Sequence, residues 1–253
     1  MKITGVILNT FRESIRDKVF ITIIVFAILV MGSGKIIQPL ALGEEAKVIK
    51  DLGLNSITLF SVLIAILVGG RLVYKEIEKR TIYLIISRPL HRWQFIIGKY
   101  FGLLLVIFES LLIMVCAFYL ILVLLKITPN VNLLLSVLMT FCELWIITAL
   151  AILFSTFSTP ITSSIFTFAI YFIGHLTLDL KAFALASKSI QAKAISDILY
   201  YLLPNLSNFN IKGEVVHNVM IEPKVIVLAV IYAIVYSTVI IFLSCLIFQR
   251  KDF

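Results

Sequence analysis

Residues 71–99 have the sequence RLVYKEIEKRTIYLIISRPLHRWQFIIGK and contain seven of the 22 lysine and arginine residues in the chain. The stretch is too polar to cross a bilayer, and it lies between two long apolar runs. Pro89 interrupts its amphipathic pattern, because the residue before a proline is disfavoured in helical geometry. The stretch therefore predicts a helix, a break and a second helix lying across one face of a membrane, with an apolar span on either side.

The composition indicates that most of the chain is surrounded by lipid. Of its 253 residues, 61% are hydrophobic and 14% are charged, and the mean hydropathy is +1.09. No soluble domain of this size has such a composition. The net charge of +8 does not indicate nucleic acid as a partner, because the basic residues flank the apolar runs, as in membrane proteins. Cys116, Cys142 and Cys245 all lie inside apolar runs and form no disulfide framework.

Six apolar runs are long enough to cross a membrane, which takes about 20 residues. They cover residues 19–37, 56–74, 100–125, 133–157, 160–178 and 225–248. An even number of spans places both termini on one side, and that side has thirteen lysines and arginines against nine on the other. Because cytoplasmic loops are enriched in these residues, both termini are predicted to be cytoplasmic. The predicted fold is an all-α, multi-pass membrane protein with six transmembrane helices in one domain, residues 1–253.

Two amphipathic helices are predicted outside the spans. In residues 1–18, apolar side chains recur every four positions, which is typical of a helix lying on the membrane surface. Residues 179–224 form a long outer loop in which Ile190, Ala194, Ile198 and Leu202 make a second apolar stripe, ending before Pro204. This outer helix either covers the spans or contacts substrate or an accessory protein.

Small residues at four-residue spacing predict close helix packing, either within the chain or between two copies. Ser61, Ala65 and Gly69 share one face of the second span, and Gly98 and Gly102 share a face at the start of the third.

Two acidic residues are predicted to lie deep in the membrane. Glu109 and Glu143 are each ten residues into a span, or about 15 Å deep at 1.5 Å per residue. No lysine or arginine lies at the same depth, and an unpaired carboxylate there is protonated or faces a wet cavity. Either the two residues line a translocation path, or they are neutral carboxyls hydrogen-bonded to neighbouring helices.

The charged stretch resembles a known family. Glu76-x-Glu78, Thr81, Arg88-Pro89-Leu90-His91-Arg92 and Gly98-Lys99 are similar to the segment after the second span in permeases of type-2-class ATP-binding-cassette (ABC) transporters. The surface helix, the six spans, the outer loop with Leu203-Pro204-Asn205 and the basic C-terminus are similar as well. The chain departs from the family pattern at Arg80, where glycine is usual, and at His91, where a small residue is usual.

The resemblance implies an exporter-like membrane subunit in the cell (inner or plasma) membrane. It implies a homodimer that works with two separate cytoplasmic ATPase subunits, which bind ATP and magnesium, so that this chain is not an enzyme and needs no cofactor. The absence of a phosphate-binding loop agrees with that division, since Gly98-Lys99 is followed by Tyr100. Residues 75–97, here called the coupling segment, would dock on the ATPase. The implied contact residues are Glu76, Glu78, Arg80, Thr81, Arg88, Pro89, His91 and Arg92.

Two other functions remain open from the sequence. The chain could be an intramembrane enzyme that uses Glu109, Glu143 or His175, in which case it would be active without an ATPase. It could also be a membrane anchor or scaffold without transport, in which case changes at Glu109 and Glu143 would be tolerated.

Overall fold

The computed structural model describes residues 3–34, 44–78, 91–186, 203–217 and 219–250, together with residues 193, 196, 197 and 200. These residues form helices and the turns between them. The helices are α1 (Ile3–Ile15), α2 (Lys18–Gly32), α3 (Glu45–Leu72), α4 (Tyr74–Glu78), α5 (Arg92–Leu124), α6 (Asn132–Phe157), α7 (Pro160–Ala186), α8 (Lys212–Val216) and α9 (Pro223–Gln249), with a 3-10 turn at Leu206–Phe209.

Five of the helices in the described part of the chain are long and apolar enough to cross a membrane, namely α3, α5, α6, α7 and α9. They correspond to the second to sixth predicted spans, and the all-helical class is confirmed. Helix α2 is apolar but has 15 residues, and at 1.5 Å per residue it is about 22 Å long, short of a core of about 30 Å. The first predicted span, residues 19–37, stays a prediction, because residues 35–43 lie outside the described residues.

Helices α3 and α5 begin well before the apolar runs that predicted them. Helix α3 starts at Glu45 and α5 at Arg92, whereas the runs start at residues 56 and 100. Hydropathy marks only the part of a helix that lipid surrounds, and the backbone hydrogen bonding continues into polar sequence. The start of α5 is fixed locally, because the backbone N–H of His91 donates to Gln94 Oε1 at 3.2 Å.

The two ends of the bundle differ in what they contain. At one end, here called the terminal end, the last turn of α9 meets the first turn of α5. Phe248 stacks on Phe95 with ring centroids 5.7 Å apart, and Arg92 Nη1 donates to the Gln249 carbonyl at 3.0 Å. Helices α1 and α4 lie there as well. The opposite end, the loop end, contains the start of α3 and helix α8. That the terminal end faces the cytoplasm stays a prediction.

Helix α1 packs along the start of α5. A Cβ on Gly98 would lie 2.8 Å from Val6 Cβ, and one on Gly102 would lie 2.6 Å from Thr10 Cβ, so glycine is what allows the two backbones to approach. Thr10 and Ser14 of α1 are buried in this contact, whereas the apolar stripe that predicted the helix is half-buried beside it. The predicted helix is present, and its small polar residues face the protein.

The small-residue face of the second span is also used inside the chain. A Cβ on Gly69 would lie 2.9 Å from Ala151 Cβ of α6 and 3.0 Å from Leu103 Cδ2 of α5. Ser61 and Ala65 are fully buried on the same face. Helix α6 is the centre of the bundle, because it packs against α3, α5, α7 and α9. The prediction of close packing is confirmed within one chain.

Candidate functional site

Two ion pairs join the N-terminal helices to the end of α3 and to α4. Arg71 Nη2 lies 3.1 Å from Asp17 Oδ2, and its Nε donates to the Leu67 carbonyl at 3.0 Å. Lys75 pairs with Glu13 of α1. Both pairs are partly exposed, so each contributes little stability alone. Together they hold α1 and α2 against the start of the coupling segment.

A third ion pair at the terminal end has a buried ammonium group. Lys99 Nζ of α5 lies 2.9 Å from Glu76 Oε1 of α4, and the exposed fractions of the two side chains are 2% and 15%. The Lys99 ammonium also lies 5.5 Å from the centroid of the Phe95 ring. A buried ammonium requires a charged or strongly polar partner. The pair therefore fixes the position of α4 relative to α5.

The junction between α3 and α4 is also held by α6. Ser155 Oγ accepts hydrogen bonds from the backbone N–H groups of Val73 and Tyr74, each at 3.2 Å. Ser155 and Val73 are fully buried. One hydroxyl thus satisfies two amides at the junction between α3 and α4. The start of the coupling segment is therefore held by α1, α2, α5 and α6.

The remaining coupling residues from the sequence lie in different environments. Glu78 and His91 are exposed, and Arg92 is half-buried and donates to the last carbonyl of α9. Arg80, Thr81, Arg88 and Pro89 lie outside the described residues. The structure pairs Glu76 with Lys99. The sequence identifies Lys99 only as part of the Gly98-Lys99 motif.

Glu143 is paired across the bundle. Its Oε1 lies 2.8 Å from Nε2 of His175 on α7, and the Glu143 side chain is 3% exposed. Tyr171, one turn earlier on α7, packs edge-on against the His175 ring with centroids 4.8 Å apart. The positions of the lysines and arginines predict no partner for Glu143, because its partner is a histidine on the next helix.

Glu109 is not brought to Glu143 by any contact among the described residues. It is half-buried on α5, and its Oε2 atom is buried without a hydrogen-bond partner in the described part of the chain. Its neighbours on the same helix face, Leu105, Leu112 and Ile113, are exposed apolar residues. Glu109 thus keeps the environment that the sequence predicted for an unpaired carboxyl group.

A cavity of about 540 Å³ opens at the loop end between α3, α7 and α8. Its lining residues are Val48, Asp51, Leu52, Asn55, Ser56, Thr58, Leu59, Tyr171 and Lys212. Lys212 Nζ donates to Asn55 Oδ1 at 3.2 Å. Burial lowers the pKa of Lys212, and the carboxylates of Glu143 and Asp51 oppose that shift. No sequence pattern predicts this cavity, because its charged residues are distant in the chain and lie outside the predicted spans.

The lowered pKa of Lys212 predicts a pH-dependent effect of the substitution Lys212→Met. The unfolded chain binds a proton at Lys212 more tightly than the folded chain does. The contribution of Lys212 to the free energy of unfolding therefore rises with pH, up to the pKa of free lysine, about 10.4. We expect Lys212→Met to be at least as stable as the wild type at pH 7, with its advantage shrinking as the pH approaches 10. Thermal unfolding of both proteins at the two pH values measures this. A variant that is less stable at pH 7 and gains relative stability at pH 10 would contradict it.

Comparison with known proteins identifies the family of this chain. The family model described as ABC-2 family transporter protein matches residues 5–253. No curated protein matches the chain. Members of this family are transport components rather than catalytic subunits, and they work with ABC ATPase partners. The match covers nearly the whole chain, including all five long apolar helices. The chain belongs to the ABC-2 family of transporter proteins, as a multi-pass transmembrane subunit.

Proposed function

We propose that this chain is the membrane subunit of an ABC exporter in the cell membrane. Two copies would form the translocation path, and two ATPase subunits, which bind ATP and magnesium, would dock on the terminal end through residues 75–97. Family membership supports an ATPase partner. The buried Glu76–Lys99 pair is the observation that supports coupling through this segment.

The Glu76–Lys99 pair gives a physical route from a docked ATPase to the membrane. Separating the two charges would leave Lys99 buried without its carboxylate, which is strongly unfavourable. A displacement of α4 by the ATPase would therefore move the first turns of α5 rather than break the contact. Helix α5 continues from Lys99 through the bundle to Glu109, about 15 Å further along the helix.

The exposed residues of the coupling segment are the ones available for docking. Glu76 is used inside the chain, whereas Glu78 and His91 are exposed and Arg92 is half-buried at the same end. We therefore assign Glu76 to transmission of the movement, and Glu78, His91 and Arg92 to contact with the ATPase. Arg80, Thr81, Arg88 and Pro89 complete the proposed contact set from the sequence.

The proposed translocation path uses the mid-membrane carboxyl groups. Glu143 and His175 link α6 to α7 beside the loop-end cavity, and Glu109 lies on the exposed face of α5. An ionisable side chain at this depth is costly in lipid and is usually retained for a functional reason.

Charge reversal tests the docking assignment. We expect Glu78→Arg and Arg92→Glu each to weaken ATPase binding and ATP-driven transport about tenfold, as for charged pairs at a protein interface. ATPase retained on the purified chain and transport into inside-out vesicles measure the two effects. Lys224→Glu, an exposed change at the loop end, is the matched control and should leave both unchanged. Wild-type binding and transport in both Glu78→Arg and Arg92→Glu would rule out this docking surface.

A further inference from the structure

We propose that the loop-end cavity binds a zwitterionic amphiphile, a molecule with an ammonium group, an acidic group and an apolar chain, as in a phosphatidylethanolamine. Lys212 would bind the acidic group, Asp51 the ammonium, and Leu52 and Leu59 the start of the chain. The inference goes beyond ATPase coupling, because binding at this cavity requires neither ATP nor a second subunit.

The two opposite charges that line the cavity are near enough to interact electrostatically but are not in direct contact. Among the described residues, neither Lys212 nor Asp51 forms an ion pair. Lys212 is half-buried, and its one hydrogen-bond acceptor in that part of the chain is the neutral amide of Asn55. Opposite charges that line one cavity without pairing with each other match a ligand that has both charges.

The depth of the cavity indicates an amphiphile. Helix α3 has 28 residues, so it is about 42 Å long and extends about 12 Å beyond a core of about 30 Å. Asp51 and Asn55 precede residue 56, where the apolar run begins, and Leu59 is one turn inside it. The charged wall thus lies at headgroup depth, and the apolar wall continues towards the lipid chains.

The size and lining of the cavity fit the same ligand class. A volume of about 540 Å³ is within the usual range of small-molecule sites, about 300–1,000 Å³. Tyr171 adds an aromatic ring to the wall of the cavity. The hydrogen bond from Lys212 to Asn55 joins α8 to α3 at the wall of the cavity.

Binding of short-chain lipids to the purified full chain in detergent tests the proposal. Native mass spectrometry with dihexanoyl phosphatidylethanolamine, dihexanoyl phosphatidylglycerol and soluble phosphoethanolamine gives their relative affinities. We expect phosphatidylethanolamine to bind about tenfold more tightly than phosphatidylglycerol, which lacks the ammonium group. Soluble phosphoethanolamine should bind at least about tenfold more weakly, because it lacks the apolar chain.

Two substitutions separate the roles of the charges. Asp51→Asn should reduce phosphatidylethanolamine binding to the level of phosphatidylglycerol, and Lys212→Met should weaken both lipids about tenfold. Lys212→Arg should retain binding, and Lys224→Met, at an exposed lysine of the same end, should have no effect.

Equal binding of the two lipids by the wild type, or wild-type binding by Asp51→Asn and Lys212→Met, would overturn the proposal. Equal binding of soluble phosphoethanolamine would overturn its amphiphile component. Because the assay contains no ATP, each of these results leaves the docking assignment standing.

Discussion

Replacing Glu76 with alanine is expected to lower the free energy of unfolding by about 3–5 kcal/mol, the usual cost of removing one partner from a buried ion pair. The Lys99 side chain is 2% exposed, so water cannot replace the missing carboxylate. Denaturant unfolding of the purified full chain in detergent measures the change. A loss below about 1 kcal/mol, typical of a surface pair, would show that Lys99 does not depend on Glu76.

The double substitution Glu76→Leu/Lys99→Met is the matched control for this prediction. It replaces both charged side chains with apolar ones of similar volume. Replacements of this kind in buried ion pairs are often neutral or stabilising. We therefore expect its stability to return to near the wild-type value. If the pair also transmits movement from the ATPase, ATP-driven transport should stay low in the double variant although its fold is restored. Recovery of both properties would limit the pair to a structural role.

Replacing His175 with leucine is expected to reduce transport at least tenfold and to destabilise the bundle by about 3 kcal/mol. The substitution leaves the Glu143 carboxyl, 3% exposed and near the middle of the membrane, without its hydrogen-bond partner at 2.8 Å. An isolated acidic group in that environment is costly in either protonation state. Unfolding and vesicle transport measured on the same preparation give both effects.

The substitution Glu143→Gln separates the charge from the hydrogen bond. Glutamine keeps the length of the side chain and can still bond to the imidazole of His175, so we expect wild-type stability with altered transport. If Glu143→Gln and Glu109→Gln both transport at the wild-type rate, the two acids have no part in the translocation path. Activity of the purified chain without any ATPase would instead favour the intramembrane enzyme.

The sequence predicted the helical class and the long apolar helices well, because segments that lipid surrounds consist of long runs of apolar residues. The ends of α3 and α5 were predicted less well, since a helix that leaves the membrane continues in polar residues that hydropathy does not mark. The resemblance of Glu76-x-Glu78 to the coupling segment of ABC permeases implies that Glu76 is a docking residue. Its ion pair with Lys99 depends on how α4 folds against α5, which residue spacing does not determine.

The polar groups at the loop end show the same limit. Glu143 was identified from its depth alone, but His175 and Lys212 approach it from helices whose positions follow from packing around α6. Gly174 illustrates why, since a Cβ at this position would lie 2.8 Å from the Pro204 carbonyl oxygen. This close contact places the segment before α8 against α7. No motif in the sequence predicts the contact.

If an ATPase drives this chain by docking on its terminal end, the two proteins should co-purify. The full chain is purified from its native membrane in mild detergent, and the proteins bound to the wild type, Glu78→Arg, Arg92→Glu and Lys224→Glu are quantified. We expect an ATPase subunit with a phosphate-binding loop in equal amount to the chain, retained by Lys224→Glu and depleted in the two terminal-end variants. A wild-type chain that purifies without any ATPase, or an ATPase retained equally by all four proteins, would contradict it.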